Sequence, residues 1–251
     1  MAGAPHPQSQ IDGLLTADCG NSTLDCLRHD DGVRFRSDTA ARDTEPLAAF
    51  LGQRRIRRCV ATTVVANGLD GLAALLARAQ VPLLLAGRDL PCPLPLDYDT
   101  PGTLGADRWI GALAAWKQHG RAVVVDCGSA TTVNLVEADG TFRGGAIAPG
   151  LRAFAAGLAA VTPALPAPAF DAVPTMPPRS TQAAVDSGVL LGWCGLVERL
   201  VAATLAVARG PAQVVVTGGN AAHLLRLTRL RPVHEPALVH AGLQALAGDR
   251  P

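Results

Sequence analysis

The chain has 251 residues, 49% of them hydrophobic, and its 22 Lys and Arg residues nearly balance 21 Asp and Glu residues to give a net charge of +1. That length is enough for two small domains, each with a hydrophobic core of its own. The balanced charge gives no electrostatic reason to expect a nucleic acid or an anionic membrane as a partner.

In chain order, strand patterns alternate with helix patterns, which favours the α/β class. The first half predicts a strand over 14–18, helices over 45–58 and 69–80, a strand over 81–86, a proline-rich loop over 88–103 and a helix over 106–118. The second half predicts strands over 122–126, 131–137 and 141–146, a helix over 149–160, a proline-rich loop over 162–178, a helix over 181–208 and a strand over 214–216. Further helices are expected to fill the remainder, and the arginines between 54 and 58 to lie on an exposed helix face.

The termini and the cysteines indicate the compartment. The first ten residues have neither a basic start nor an apolar run, and they are predicted to be a disordered leader rather than a signal peptide. No uncharged apolar stretch approaches the roughly 20 residues that span a membrane. The six cysteines include no C-x-x-C pair, so a zinc site is not expected, and scattered single thiols predict a cytoplasmic protein.

A short motif occurs twice. The sequence DCGNST at 18–23 returns as DCGSAT at 126–131, and an Asp-Gly pair follows each copy at the same offset, at 31–32 and 139–140. Each copy follows an apolar strand, so the repeat predicts the same strand–turn–strand–turn–strand unit used twice. Two similar domains with a nucleotide cleft between them follow, and we place them at 11–115 and 116–251.

The turns of this repeat have the composition of phosphate-binding loops. Glycines expose backbone N–H groups and Ser or Thr hydroxyls add donors, which together can bind a polyphosphate. The stretch TGGN at 217–220, where a strand ends and a helix begins, is a third candidate. Neither a P-loop nor a Rossmann fingerprint is present, so those two nucleotide-binding folds are not expected.

Five motifs together resemble the type III pantothenate kinase family, from about Leu14 to Leu246. They are the DCGNST turn at 18–23, GADR at 105–108, VDCGSATT at 125–132, GGAIAPG at 144–150 and TGG at 217–219. The resemblance implies duplicated actin-like (ribonuclease H-like) domains, phosphorylation of pantothenate by ATP at the first step of coenzyme A synthesis, and a homodimer. It also implies Mg²⁺ with the ATP and a monovalent cation, K⁺ or NH₄⁺.

The resemblance also implies roles for individual residues. ATP contacts fall on Asp18, Cys19, Gly20, Asn21, Ser22, Thr23, Leu24, Asp25 and Ser129. Asp107 matches the general base and Asp126 the ligand of the monovalent cation. Pantothenate contacts fall on Tyr98, Gly105, Ala106, Asp107, Arg108 and Thr181.

The residues themselves leave simpler explanations open. Asp107 begins a predicted helix, whose dipole favours the ionised carboxylate, and it could be a capping residue alone. Asp126 could cap a turn at the end of its strand, and Tyr98 could anchor its loop by packing. Arg108 could form an ordinary surface ion pair, and Thr181 could be the N-cap of the following helix.

Asp25 departs from the family, which carries a lysine at this position. An inward-pointing carboxylate would repel the ATP phosphates, so the sequence predicts that Asp25→Lys tightens ATP binding. Arg28 is the alternative cation, although strand alternation places it on the opposite face from Asp25. The departure keeps two rival functions open: a weakly catalytic family member with a regulatory or binding role, and a hydrolase or a different small-molecule kinase on the same fold.

Overall fold

The computed structural model describes residues 12–41 and 43–248, so the predicted leader at 1–10 lies outside the described residues. The chain divides into two compact units. The first unit comprises Met1–Leu94, Thr100–Ala114 and Leu238–Pro251, and the second comprises Pro95–Asp99 and Ala115–Ala237. This division differs from the predicted domains at 11–115 and 116–251. The last helix, Leu238–Gly248, belongs to the first unit, and the loop segment Pro95–Asp99 belongs to the second.

The first unit contains a five-stranded mixed sheet with the order β3-β2-β1-β4-β5. Its strands are β1 Leu14–Cys19, β2 Thr23–Arg28, β3 Arg34–Asp38, β4 Arg58–Thr63 and β5 Leu83–Leu85. Strands β1, β2 and β3 pair antiparallel, whereas β4 and β5 run parallel to β1. The helices of this unit are α1 Glu45–Gly52, α2 Asp70–Arg78, most of α3 Ala106–His119, and α7 Leu238–Gly248.

The second unit repeats this topology, with the strand order β8-β7-β6-β9-β10. Its strands are β6 Ala122–Cys127, β7 Ala130–Val136, β8 Phe142–Pro149, β9 Gln213–Thr217 and β10 Val233–His234, and its helices are α4 Leu151–Val161, α5 Thr181–Val207 and α6 Ala221–Leu227. Gly32 and Gly140 have φ values of 69° and 84° in the two Asp-Gly turns, which the absence of a side chain permits. The predicted duplication is therefore confirmed.

Each unit has a core of its own. In the first unit, alternate residues of β1 and β2 pack against α1 and α2, while α7 packs on β1 and β4. In the second unit, α5 packs on β6 and β7 through Val189, Trp193 and Val197. Helix α5 is long and apolar enough to cross a membrane by length and composition alone. Because α5 packs on the sheet, its apolar composition is that of a core helix.

Two strands differ from the predictions. The predicted helix over 45–58 ends at Gly52, and Arg58 begins β4, so the basic run does not lie on one helix face. Strand β4 has an apolar run of three residues, Cys59–Ala61, which is buried on both faces of the sheet. Because the run is so short, its hydrophobic pattern shows neither the period of a strand nor that of a helix. Strand β10 has only two residues, and the sequence prediction missed it.

Candidate active site

The turn between β1 and β2 presents its polar part to solvent and buries its apolar part. Gly20 N–H donates to Thr23 O at 3.0 Å, and the Thr39 hydroxyl donates to Gly20 O at 2.7 Å. Cys19 and Leu24 belong to the core, so their side chains are not available to a ligand. The exposed residues of the turn are Asn21, Ser22 and Thr23. Side-chain contacts from the turn itself to a nucleotide must therefore come from these three residues.

Asp25 lies directly opposite Asp18 in the β1–β2 pairing, so the two side chains share a face of the sheet. The carboxylate of Asp25 accepts two hydrogen bonds from Arg34 and one from Arg36, each at 2.7 Å. Burial alone would raise the pKa of Asp25, but the contacts with His240 and Arg34 outweigh it and lower that pKa. The Asp25 carboxylate is therefore compensated by two guanidinium groups, and the predicted effect of Asp25→Lys on ATP binding stays a prediction.

Arg28 is not available as a replacement cation. Its side chain is buried, donates to Phe50 O at 2.7 Å, and lies 4.5 Å over the Phe50 ring. It also forms an ion pair with Asp31 at 3.0 Å. These contacts are with α1 and the β2–β3 turn, whereas Asp25 faces α7, which agrees with the opposite faces expected from strand alternation.

Two histidines extend the Asp25 cluster into the interior. His240 Nε2 lies 3.3 Å from Asp25 Oδ1, and its Nδ1 lies 2.8 Å from the Thr16 hydroxyl, which is also 2.9 Å from His29 Nε2. Burial lowers the pKa of His240 and lowers that of His29 to about 4. Both rings are then neutral near pH 7, so His240 acts on Asp25 as a polar neighbour while Arg34 brings a permanent positive charge. The sequence prediction missed this cluster, because it joins residues from both ends of the chain.

Asp107 is the second residue of α3, and its carboxylate folds back over Gly105. A Cβ at position 105 would lie 2.6 Å from Asp107 Oδ1, so a larger residue there would displace this carboxylate. Burial raises the pKa of Asp107 despite the backbone N–H and the charge of Arg108. The low pKa expected from the helix dipole is therefore wrong, because desolvation outweighs the dipole. Arg108 is 7% exposed, which excludes the ordinary surface ion pair.

In the second unit, three glycine-containing turns meet at the end of β6, where Asp126 lies. Gly218 has a φ of 92°, and a Cβ there would lie 2.4 Å from Asp126 Oδ1. A Cβ on Gly150 would lie 2.4 Å from Gly128 O, which also accepts from Asn220 Nδ2 at 3.0 Å. Ser129 is exposed in the middle of these turns. The TGGN stretch and the second copy of the repeat thus form one backbone-lined cluster, which the sequence predicted only as separate candidates.

Tyr98 and Thr181 lie elsewhere in the second unit. Segment 95–99 hydrogen-bonds to Phe142 at the start of β8, and the Tyr98 ring packs against Gly144 and Phe142. This geometry supports the packing explanation for Tyr98. Thr181 is the exposed first residue of α5, and the N-cap is Ser180, whose hydroxyl accepts from Ala183 N at 3.2 Å. The N-cap explanation for Thr181 is therefore wrong.

Comparisons with known proteins agree with this description. The type III pantothenate kinase family model matches residues 14–203. A type III pantothenate kinase from Rhizorhabdus wittichii is 34% identical over 248 residues, covering 92% of this chain and 95% of that protein. A protein from Campylobacter jejuni, described as a Baf family transcriptional activator, has a TM-score of 0.59 at 22% identity, covering 92% of this chain and 96% of its own. One from Sinorhizobium meliloti, described as a 2-dehydro-3-deoxygalactonokinase, has a TM-score of 0.57 at 15% identity, covering 93% and 98%.

The two structural matches share the fold of this chain. Because their sequence identity to it is low, their described functions are not assigned to this chain. The family match is of a different kind, because it spans the repeated turns, the GADR helix start and the part of the glycine cluster that holds Gly128 and Gly150. It runs over most of the described residues, and the relative from Rhizorhabdus wittichii matches nearly end to end. The chain therefore belongs to the type III pantothenate kinase family.

Proposed function

We propose that this protein transfers the γ-phosphoryl group of ATP to the primary hydroxyl of pantothenate, giving 4′-phosphopantothenate at the first step of coenzyme A synthesis. The observation that carries the proposal is Asp107, whose carboxylate is folded over Gly105 at the start of a helix and has a raised pKa. A general base works best when its pKa lies near the working pH, and burial moves Asp107 in that direction.

Asp107 accepts the proton of the substrate hydroxyl in this mechanism. Phosphoryl transfer passes through a loose transition state, so the proton leaves late and a carboxylate is basic enough. Most of the acceleration then comes from holding the hydroxyl in line with the phosphate. We assign this positioning to Gly105, Ala106, Arg108, Tyr98 and Thr181, the positions at which the family resemblance implies pantothenate contacts.

ATP binding is assigned to the β1–β2 turn and to Ser129. The residues Asn21, Ser22 and Thr23 are exposed to solvent, as phosphate contacts require. In the described part of the chain, no three His, Cys, Asp or Glu side chains cluster to hold a metal by themselves. Mg²⁺ suits such a site, because it commonly takes one or two carboxylates, here Asp18, plus substrate phosphates. When bound, it neutralises charge on the phosphates.

Asp126 and the glycine cluster fit a monovalent cation, K⁺ or NH₄⁺. The glycines leave room beside Asp126 Oδ1 that a Cβ would fill, and carbonyl oxygens of Gly128 and Ser129 lie in the same cluster. A carboxylate with backbone carbonyls is an oxygen-rich environment suited to a hard cation. In this proposal the cation holds the three turns together beside Ser129.

A homodimer in the cytoplasm completes the proposal. Helix α5 exposes a stripe of small and apolar residues, Ala184, Gly188, Leu191, Gly195 and Ala202, which allows the close approach of a second helix. The six cysteines are free, as expected for a reducing compartment. Size-exclusion chromatography with light scattering measures the dimer directly, and Gly188→Arg should convert it to a monomer.

The test of the function is an assay of the purified protein with ATP, Mg²⁺, K⁺ and pantothenate, in which 4′-phosphopantothenate is measured by mass spectrometry. Reactions without pantothenate control for ATP hydrolysis, and the Asp107→Asn variant controls for contaminating kinases. Phosphopantothenate formed by the parent protein alone supports the proposal. ATP consumption without pantothenate would point to a hydrolase, and ATP binding without turnover to a regulatory member of the family.

A further inference from the structure

Position 25, where this chain has Asp and the family carries a lysine, lies in a row of charged residues that crosses three strands. Asp18 on β1 is opposite Asp25 on β2, and Asp25 is opposite Arg36 on β3. Residues directly opposite one another share a face, so all three side chains lie on one side of the sheet. Two carboxylates side by side are unfavourable unless a cation accompanies them, and Arg36 is the next residue in the row.

The two arginines bound to Asp25 differ in how they bind. Arg34 donates from Nε and Nη2 to both carboxylate oxygens, and its side chain is 28% exposed. Arg36 donates from Nε alone, and its side chain is 53% exposed. Arg34 therefore neutralises Asp25 with a bidentate pair, while Arg36 uses Nε alone and keeps about half of its side chain exposed to solvent.

The cluster of Arg34, Arg36 and Asp25 has the same net charge as the lysine that the family carries at position 25. Two guanidinium groups and one carboxylate leave a charge of +1, and His240 is neutral because burial lowers its pKa. A lysine at position 25 would place the same charge on the same face, next to Asp18. The guanidinium of Arg36 is held against the Asp25 carboxylate, so its charge lies close to where the lysine ammonium would be.

We propose that Arg36 is the cation that binds the ATP phosphates in this protein, and that Asp25 is the residue that positions it. The proposal rests on the proposed function in one respect, that the phosphates lie at the β1–β2 turn. Guanidinium groups suit this task, because the planar fork matches phosphate oxygens and keeps its charge at any working pH. The substitution of Asp for Lys at position 25 then moves the cation to the neighbouring strand without removing it.

The test compares nucleotide binding by the parent, Arg36→Ala, Arg36→Gln and the control Arg55→Ala, using calorimetry with ATP, ADP and adenosine. Arg36→Gln retains a side-chain donor for Asp25, which protects the fold, and Arg55 is an exposed arginine outside the cluster. We expect both Arg36 variants to bind ATP and ADP about 10- to 100-fold more weakly. Adenosine binding should stay unchanged, because it has no phosphate. The control should bind all three like the parent.

Kinetics separate this inference from the proposed function. In an active parent, the Arg36 variants should raise KM for ATP and leave KM for pantothenate unchanged. If the parent phosphorylates pantothenate and both folded Arg36 variants keep the parental affinity for ATP, the inference is overturned and the function stands. If the parent does not phosphorylate pantothenate but loses ATP binding with Arg36, the inference stands without the function. Equal loss of ATP and adenosine binding would reveal a structural role and overturn the inference.

Discussion

Replacing Asp25 tests whether the charge cluster is organised as the structure indicates. Removing one partner of a buried ion pair costs about 3–5 kcal/mol when the remaining charge stays buried. The Asp25 side chain is 12% exposed and that of Arg36 is 53% exposed, so water recovers part of this cost. We therefore expect Asp25→Asn to lower the free energy of unfolding by about 2–3 kcal/mol. Asp25→Lys should cost at least about 2 kcal/mol more, because like charges ~4 Å apart repel by about 4 kcal/mol before relaxation.

Urea unfolding at pH 7, followed by circular dichroism, measures these differences. The matched control is Asp12→Asn, which removes the same charge from an exposed pair with Arg57 at 2.9 Å and should change stability little. High salt should narrow the gap between the Asn and Lys variants, because it screens the added repulsion. An Asp25→Lys variant as stable as the parent, with a lower KM for ATP, would show that Asp25 faces the phosphates and would refute the cluster.

Three further outcomes are expected. Asp107→Asn should lower kcat by about 10²-fold without changing the melting temperature. In the parent, kcat/KM should fall as pH drops through the raised pKa of Asp107, because the protonated carboxyl cannot accept a proton. Replacing Na⁺ by K⁺ or NH₄⁺ at constant ionic strength should raise the rate, and equal rates would argue against a cation at Asp126. The free energy of unfolding should fall as pH drops from 6.5 toward about 4, because the unfolded chain protonates His29 and the folded chain does not. His29→Gln should weaken that pH dependence, and an unchanged slope between pH 7 and pH 5 would contradict the assignment.

Local patterns predicted the parts of this fold that local interactions determine. The two hairpins follow from apolar strands and Asp-Gly turns, and α3 and α5 from long periodic segments. Strand β4 was missed, because three apolar residues in a row do not distinguish a strand from a helix. The placement of α7 in the first unit was also missed, because sequence proximity favours the neighbouring unit.

The chemistry of the site was less predictable than its location. The residues of the turns could be named from their motifs, but their charge states depend on burial and on distant partners. Asp25 is neutralised by residues nine and eleven positions away, and the contact between Thr16 and His240 spans 224 positions. The raised pKa of Asp107 results from desolvation, which no helix-start pattern reveals. Such effects become visible only when the packing is known.

The placement of α7 has a consequence for the order in which the protein is made. A ribosome adds about 5–20 residues per second from the N-terminus, so β1 and β4 exist long before Leu238–Gly248 has been synthesised. During that interval the face of the first sheet that carries Thr16 lacks the helix that covers it, and its polar groups must be solvated. The second unit is nearly continuous in sequence and can complete its core first. The first unit to be translated is therefore the last to finish folding, and truncation before Leu238 should damage the N-terminal strands.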